Sequence, residues 1–318
     1  PVHVKADLHL HTTASDGELS PGGLATLARE SGLEAIALTD HDTVAGASSA
    51  EKLAREHGIR VIPGVEVSID YDPGTLHVLG YFPAFPHGFE EVLSRLQHAR
   101  VVRLPLMLEK LRALGMDLLE SDVRSISQGG QVGRPHVAKA LMKKGYVRDF
   151  EEAFARYLGK GRPAYVEKDR MRSAEAIRAI RDAGGMPVLA HPFTLGLGKG
   201  ELASFVRGLR EEGLKGMEIF YPDHTRPQKK HYLELALELG LVPTGGTDFH
   251  APLPGGVRPG RFGLDAKAIC SSWRSSTGHK GPRANEKAFP GKAPYLGKQL
   301  LNNGHPLSPA GISFLFRR

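Results

Sequence analysis

Hydrophobic and polar positions in the first third of the chain switch between two periods. Residues 2–11, 35–38, 60–69 and 75–82 are short apolar runs rich in aliphatic and β-branched side chains, and they predict strands. Residues 20–32 and 44–57 carry helical spacing between them. Ser20 and Pro21 supply an N-cap and a first-turn proline, and Gly32 and Gly58 supply the stops. Asp72, Pro73 and Gly74 mark a turn between the third and fourth strands. Such β-α-β-α-β alternation predicts neighbouring parallel strands joined by right-handed crossovers.

From residue 89 to 168 the pattern becomes helical, with runs at 89–114, 136–144 and 150–158. Pro105 is expected to kink or split the first of these. The alternation then resumes: helix 173–183, strand 187–190, helix 202–212, strand 216–221, helix 227–239, strand 242–244. Seven strands with ligand-type side chains at their C-terminal ends predict an α/β fold closed like a barrel, because that end is where the loops of such barrels converge. The expected organisation is a barrel of residues 1–88 and 169–264, a helical insertion or cap over 89–168, and an irregular basic tail over 265–318.

The chain has 318 residues, is 41% apolar, and has a net charge of +7. Location changes what that charge means. The tail holds nine Lys/Arg and two acidic residues, so it carries the entire excess and the other 264 residues balance to zero. A processive nucleic-acid binder would show a basic track, so the body excludes that class and leaves room only for local anion attraction. The tail is rich in Gly, Ser, Lys and Pro and holds the single cysteine, Cys270, and the single tryptophan, Trp273. It reads as disordered or loosely attached, and either as an aberrant, frameshifted C-terminus or as a basic arm for phosphate or RNA. One cysteine permits no internal disulfide, no apolar run reaches the ~20 residues of a membrane span, and residues 1–7 show no signal pattern, so a cytoplasmic protein with no membrane association is expected.

The candidate chemistry sits in three strings: Asp7, His9 and His11; Asp40, His41 and Asp42; Asp248 and His250. Residues i and i+2 of a strand point to one side, so His9 pairs with His11, and Asp248 with His250. Imidazole and carboxylate without thiolate suit Mn, Zn or Fe. Asp16 follows the first pair in a Ser-Asp-Gly turn. His41 lies between two acids that could orient its ring, and Asp42 could also cap the following helix. Glu66, inside an apolar strand, is costly unless it is paired or bound to metal, although an edge strand would expose it. A carboxylate there has two oxygens with which to bridge two cations. His77 and His191 occupy strand positions that fit either a ligand or an ordinary strand histidine. Arg134 and His136 in the insertion, and His224 after the sixth strand, are candidates to hold phosphate, with His224 or His136 also able to protonate a leaving oxygen. Lys5, Arg29 and Arg60 read as solvated.

Taken in order over residues 3–255, these strings resemble the PHP (polymerase and histidinol phosphatase) superfamily of metal-dependent phosphoesterases. The helical insertion and the string Gly133, Arg134, Pro135, His136 make the chain most similar to the branch containing 3′,5′-nucleoside bisphosphate phosphatases and RNase AM. The resemblance implies a distorted seven-stranded (β/α) barrel with two to three divalent ions, manganese foremost. It implies a first ion on His9, His11, Glu66 and Asp248, a second on Glu66, His77 and His191, and a third on Asp16, His41 and His250. Catalytic roles fall to Asp16, His41 and His224, and substrate contacts to Arg134, His136 and His224. The implied reaction is hydrolysis of a nucleotide phosphomonoester, the 3′-phosphate of a 3′,5′-bisphosphate, by metal-activated hydroxide. The product would be AMP-like, short RNA 5′ ends would be a second substrate, and no obligate protein partner is implied.

Three alternatives stand beside this reading. Histidinol phosphate phosphatase lies within the same superfamily. An amidohydrolase cutting C–N bonds shares the His-x-His strand but needs a bridging lysine, and residues 60–82 contain none. A non-catalytic PHP domain would have lost ligands, whereas all nine are present.

Overall fold

The computed structural model describes residues 5–72, 74–167, 170–252 and 256–260. The tail over 265–318, with both of its readings, lies outside the described residues. Seven strands form one sheet in sequence order: β1 (Ala6–Leu10), β2 (Ala35–Leu38), β3 (Arg60–Ile69), β4 (Leu76–Tyr81), β5 (Met186–Leu189), β6 (Gly216–Phe220) and β7 (Val242–Gly245). β1, β2 and β3 pair in parallel, with Asp7 opposite Ile36 and Ile36 opposite Val61. β5, β6 and β7 are also parallel. β4 runs against both neighbours, setting Ser68 opposite His77 and Val78 opposite Leu189. The link between β3 and β4 is far too short for a crossover, which takes a dozen or more residues, so a hairpin was the only available connection. Leu10 bridges Phe249, and the His11 amide donates to the Phe249 carbonyl at 3.0 Å, so the sheet almost closes on itself. The result is a nearly closed seven-stranded α/β barrel, distorted by its one reversed strand.

Helices α1 (Pro21–Glu30), α2 (Ala50–His57), α7 (Ser173–Asp182), α8 (Lys199–Glu212) and α9 (Arg226–Glu238) pack around the sheet. Ser20 caps α1 by accepting from Gly23, and Gly58 ends α2 in the left-handed region, as the sequence predicts. The helix expected over 44–57 begins instead as a tight 3-10 turn, Ala45–Ser49. Between β4 and β5 lie α3 (Phe89–Ala113), α4 (Glu120–Ser127), α5 (Arg134–Lys143) and α6 (Phe150–Ala153), the last running into a π turn at Phe154–Leu158. These helices bury their own cluster, including Leu104, Leu111, Val123, Val137, Leu141 and Leu158. Pro105 neither splits nor ends α3. The carbonyl it strands belongs to Val101, which is 56% exposed, so water can satisfy it. The sequence reading missed α4 because only Val123 and Ser127 of it are buried, too little apolar surface to show a period. Among the described residues, no helix is long and apolar enough to cross a membrane.

Candidate metal centre

Six of the seven strands deliver candidate ligands to one mouth of the barrel. His9 and His11 come from β1 and the residue after it, His41 from just beyond β2, Glu66 from β3, His77 from β4, His191 from just beyond β5, and Asp248 and His250 from the loop after β7. Asp16 comes from the turn after β1. All nine meet. The Glu66 carboxylate lies at their centre: Oε2 is 3.2 Å from both His9 Nε2 and His11 Nε2 and 3.0 Å from His41 Nδ1. Its Oε1 is 2.7 Å from His77 Nδ1 and 3.0 Å from His191 Nε2. Asp248 Oδ1 is 2.9 Å from His11 Nε2 and 3.3 Å from His9 Nε2. Asp16 Oδ1 lies 3.3 Å from His250 Nε2, with His41 Nε2 3.9 Å from the other oxygen.

Three sets have ligand atoms within 4.8 Å of one another: His9, His11, Glu66 and Asp248; His41, Glu66 and His77; and His11, Asp16, His41 and His250. His191 joins the second set through Glu66 and through His77 Nδ1 at 3.3 Å. His41 faces two sets with its two nitrogens, whereas the family pattern gives it to Asp16 and His250 alone.

The cluster fits divalent cations. His9 Nε2, both His11 nitrogens, His41 Nδ1, Glu66 Oε2, Asp16 Oδ1 and Asp248 Oδ1 are buried and have no hydrogen-bond partner among the described residues. Buried polar atoms are almost always satisfied, so seven such atoms around one volume call for cations at their focus. Electrostatics agree. Burial alone would raise Glu66, Asp16 and Asp248, but the facing imidazoles hold all three carboxyls well below the usual range. Burial would likewise lower His11, yet Asp248 and Glu66 push it up to about 10. His77 goes the other way, down to about 4, chiefly through burial, and so presents a neutral ring. The pocket demands positive charge, which protons or metal ions can supply.

Buried carboxylates set the loops that carry these ligands. Asp7 accepts from the Thr247 amide at 3.0 Å and its hydroxyl at 2.6 Å, fixing the loop before Asp248. Gly246 passes so close to β1 that a Cβ there would lie 2.3 Å from His9 Cβ. Asp40 accepts from the Thr12 amide at 2.7 Å and the Ser15 hydroxyl at 2.7 Å, which places Asp16. Asp40 and Asp42 therefore do not orient the His41 ring, and Asp42 does not cap a helix. Asp42 instead accepts from the Ser68 amide at 2.7 Å and from Arg100 of α3 at 2.6 Å, while its carbonyl takes Gln97 and Gln131. It clasps the inserted helices to the barrel beside His41. Asp42→Ala is expected to lower the unfolding free energy by about 3 kcal/mol, as for one lost partner of a buried ion pair, measured by denaturant titration.

Asp248 and His250 do not converge by strand alternation, as the sequence pattern implied. β7 ends at Gly245, and Asp248 has φ +52. A loop turn brings them together and buries Phe249 between them against β1. Asp42 (φ +53) and His191 (φ +22) are likewise non-glycine residues in the left-handed region. Such strain costs on the order of 1–3 kcal/mol each and clusters at working sites.

Beside the cluster lies a cavity of about 150 Å³, bounded by Asp16, His41 and His77 on the barrel side and by Arg100, Arg103, Arg134 and Arg170 on the other. The sequence reading named only Arg134. Arg100 and Arg103 stand three apart on α3 and so share a face, which is the signal that could have found them. Arg103 is 7% exposed, and burial followed by the charge of Arg134 pushes it down to about 9. Arg100 pairs with Asp42 and Arg170 with Glu167, while Arg103 and Arg134 have no carboxylate within ion-pair reach among the described residues. Arg134 lies over the Phe154 and Tyr165 rings, and Arg103 over Tyr165.

His136 and His224 do not line this cavity. His136 Nδ1 accepts from the Gly133 amide at 3.0 Å and closes the first turn of α5. His224 donates from Nδ1 to the Ile219 carbonyl at 2.8 Å and is walled in by Phe193, Tyr221 and Tyr232. Two further residues went unnoticed: Glu218, a carboxylate in an apolar strand, and Tyr221 just after it. Glu218 carried the same signal that marked Glu66.

Comparison with known proteins places this geometry. A PHP domain matches residues 7–160. A 5′-3′ exoribonuclease of Haemophilus influenzae is 34% identical over 251 residues, 78% of this chain and 90% of that one. A 3′,5′-nucleoside bisphosphate phosphatase of Chromobacterium violaceum is 32% identical over 272 residues, 84% of this chain and 95% of that one. A solved structure from Chromobacterium violaceum, described as an amidohydrolase with bound sulfate, superposes with a TM-score of 0.74 at 28% identity, covering 84% of this chain and 96% of that one. On its sequence, its nearly closed barrel and its ligand cluster, the chain belongs to the PHP family and is a metal-dependent phosphoesterase.

Proposed function

We propose that the substrate is a nucleotide carrying two phosphates, and that the chain removes the 3′-phosphate of a 3′,5′-nucleoside bisphosphate at the metal cluster while the arginine wall holds the 5′-phosphate. The observation that carries this reading is the pairing of a cation-demanding cluster with a second, basic pocket in one cavity. Arg103 and Arg134, which have no carboxylate within ion-pair reach among the described residues, match the charge of one phosphate dianion. The named activities of the Haemophilus and Chromobacterium relatives support the same substrate class. A short RNA with a 5′-phosphate presents the same two groups, so end-trimming of RNA is the second activity of this reading.

His9, His11, Glu66 and Asp248 would hold one ion, Glu66, His77 and His191 a second, and Asp16, His41 and His250 a third, with manganese as the ion tested first. Bound there, such ions supply Lewis-acid stabilisation of phosphoryl charge and a water acidic enough to ionise near neutral pH. The residues themselves position and neutralise. Glu66 sets the spacing between the first two sets through its separate oxygens. Arg103 and Arg134, stiffened by aromatic contacts, orient the distal phosphate so that the scissile one meets the cluster. His136 and His224 have no part in this reading.

The test compares phosphate release from a 3′,5′-bisphosphate, histidinol phosphate and a short 5′-phosphorylated RNA. Preference for histidinol phosphate would overturn the proposal. Arg103→Met and Arg134→Met are each expected to raise KM for the bisphosphate ~10–100-fold, the worth of one charged hydrogen bond. For a nucleoside 3′-monophosphate, steady-state kinetics should show a change under about threefold, since no distal phosphate is then lost.

A further inference from the structure

β6 is the one strand of the seven that contributes none of the nine cluster residues. Its Glu218 is fully buried all the same, in a run of apolar neighbours where a carboxylate is costly. Both of its oxygens are used. Oε1 lies 3.1 Å from His9 Nδ1, and Oε2 accepts from the His191 amide at 2.8 Å. A carboxylate only accepts, so His9 carries a proton on Nδ1, and Nε2 is the nitrogen aimed at Glu66 and Asp248, where a cation would take the place of a proton. The second bond holds the backbone of His191 where its φ is +22, an orientation that side chains rarely adopt. One residue beyond the strand, the Tyr221 hydroxyl donates to Asp248 Oδ2 at 2.9 Å and leaves Oδ1 directed at His9 and His11.

We infer that β6 is the orienting strand of the metal centre: Glu218 and Tyr221 are positioning residues that jointly set His9 and Asp248 of the first ion's ligands and His191 of the second's. The inference rests on the metal reading above but on no choice of substrate. Coupling follows from the shared carboxylate. A glutamine at this position has one accepting oxygen, so it can serve His9 or the His191 amide but not both, and its NH2 group must face the other donor. The binding of two ions is thereby tied to one side chain that touches neither.

The experiment titrates Mn2+ alone into the metal-free full chain by calorimetry, for wild type, Glu218→Gln and Tyr221→Phe, with a thermal melt of each metal-free protein. Glu218→Gln is expected to weaken Mn2+ binding ~10–100-fold, and Tyr221→Phe about tenfold, while the metal-free variants still melt cooperatively. At saturating substrate, kcat should fall with KM unchanged and recover in part as Mn2+ is raised, which a purely structural role would not produce. Wild-type Mn2+ affinity and stoichiometry in Glu218→Gln would overturn the inference and leave the metal reading intact. No Mn2+ uptake by the wild type would overturn both. If Glu218→Gln fails to fold, Tyr221→Phe, which removes one hydroxyl, decides alone.

Discussion

Glu66→Gln is expected to reduce kcat/KM by on the order of 10³-fold or more, because the ions it holds supply several kcal/mol of transition-state stabilisation and each ~1.4 kcal/mol is tenfold in rate. No other side chain in the cluster faces so many partners. Five imidazoles approach its two oxygens at 2.7–3.2 Å. A glutamine keeps the shape but must turn an NH2 toward either three of these nitrogens or two of them. Whichever way it turns, one ion loses its anchor and the pocket loses one of the negative charges that attract cations. The measurement is steady-state kinetics with metal content determined on the same protein after dialysis. A variant with wild-type kcat and wild-type ion content would end the account of Glu66 as the bridge.

Chelation should have the second largest effect: loss of activity, and a fall in melting temperature of about 10 °C or more. An ion present at a thousandfold over its dissociation constant contributes about 4 kcal/mol through linkage, and each kcal/mol moves the melt by ~2–4 °C in a protein of this size. The gap between loaded and stripped protein should widen with pH. In the stripped protein the His11 pKa is raised from 6.5 to about 10, so its contribution to stability is complete below about 6.5 and fades as pH climbs toward 10. In the loaded protein an ion takes the proton's place, and its binding tightens as protons cease to compete. Melts at pH 6.5 and pH 9, with and without chelator, test both statements. A gap that narrows with pH would show that the imidazoles are not where the ions bind.

The two expectations differ in what they interrogate. Glu66→Gln asks whether one carboxylate links two ion positions; chelation asks whether the cluster as a whole is built for cations. Either result bears on the arginine pocket, because Arg100 reaches Asp42, the residue next to His41. Weakening the Asp42 clasp would therefore loosen the cap and the third set of ligands together.

Much of the barrel was legible from period alone. Apolar runs and helical stretches are local patterns, and the seven strands and the flanking helices α1 and α7–α9 follow them within a few residues. The ligand types were legible too, since His and carboxylate at the ends of apolar strands are costly without a purpose. Total charge hid the arginine wall. Arg100 and Arg103 come from α3, Arg134 from the start of α5, and Arg170 from a later connection, within a body whose charges cancel. Glu218 gave the same local signal as Glu66, a carboxylate in an apolar strand, but its role was hidden because its partners lie 209 and 27 residues away.

By itself, then, the amino-acid order determined which segments are strands and which side chains can ligate a cation. Tertiary structure decided the rest: that β4 runs backwards, that Asp248 reaches the cluster through a turn, that His41 serves two sets, and that β6 steers ligands it does not supply. The reason is one of range. Side-chain alternation is settled between neighbours along the chain, whereas the meeting of His9 with Asp248 depends on the sheet curving until its first and last strands touch.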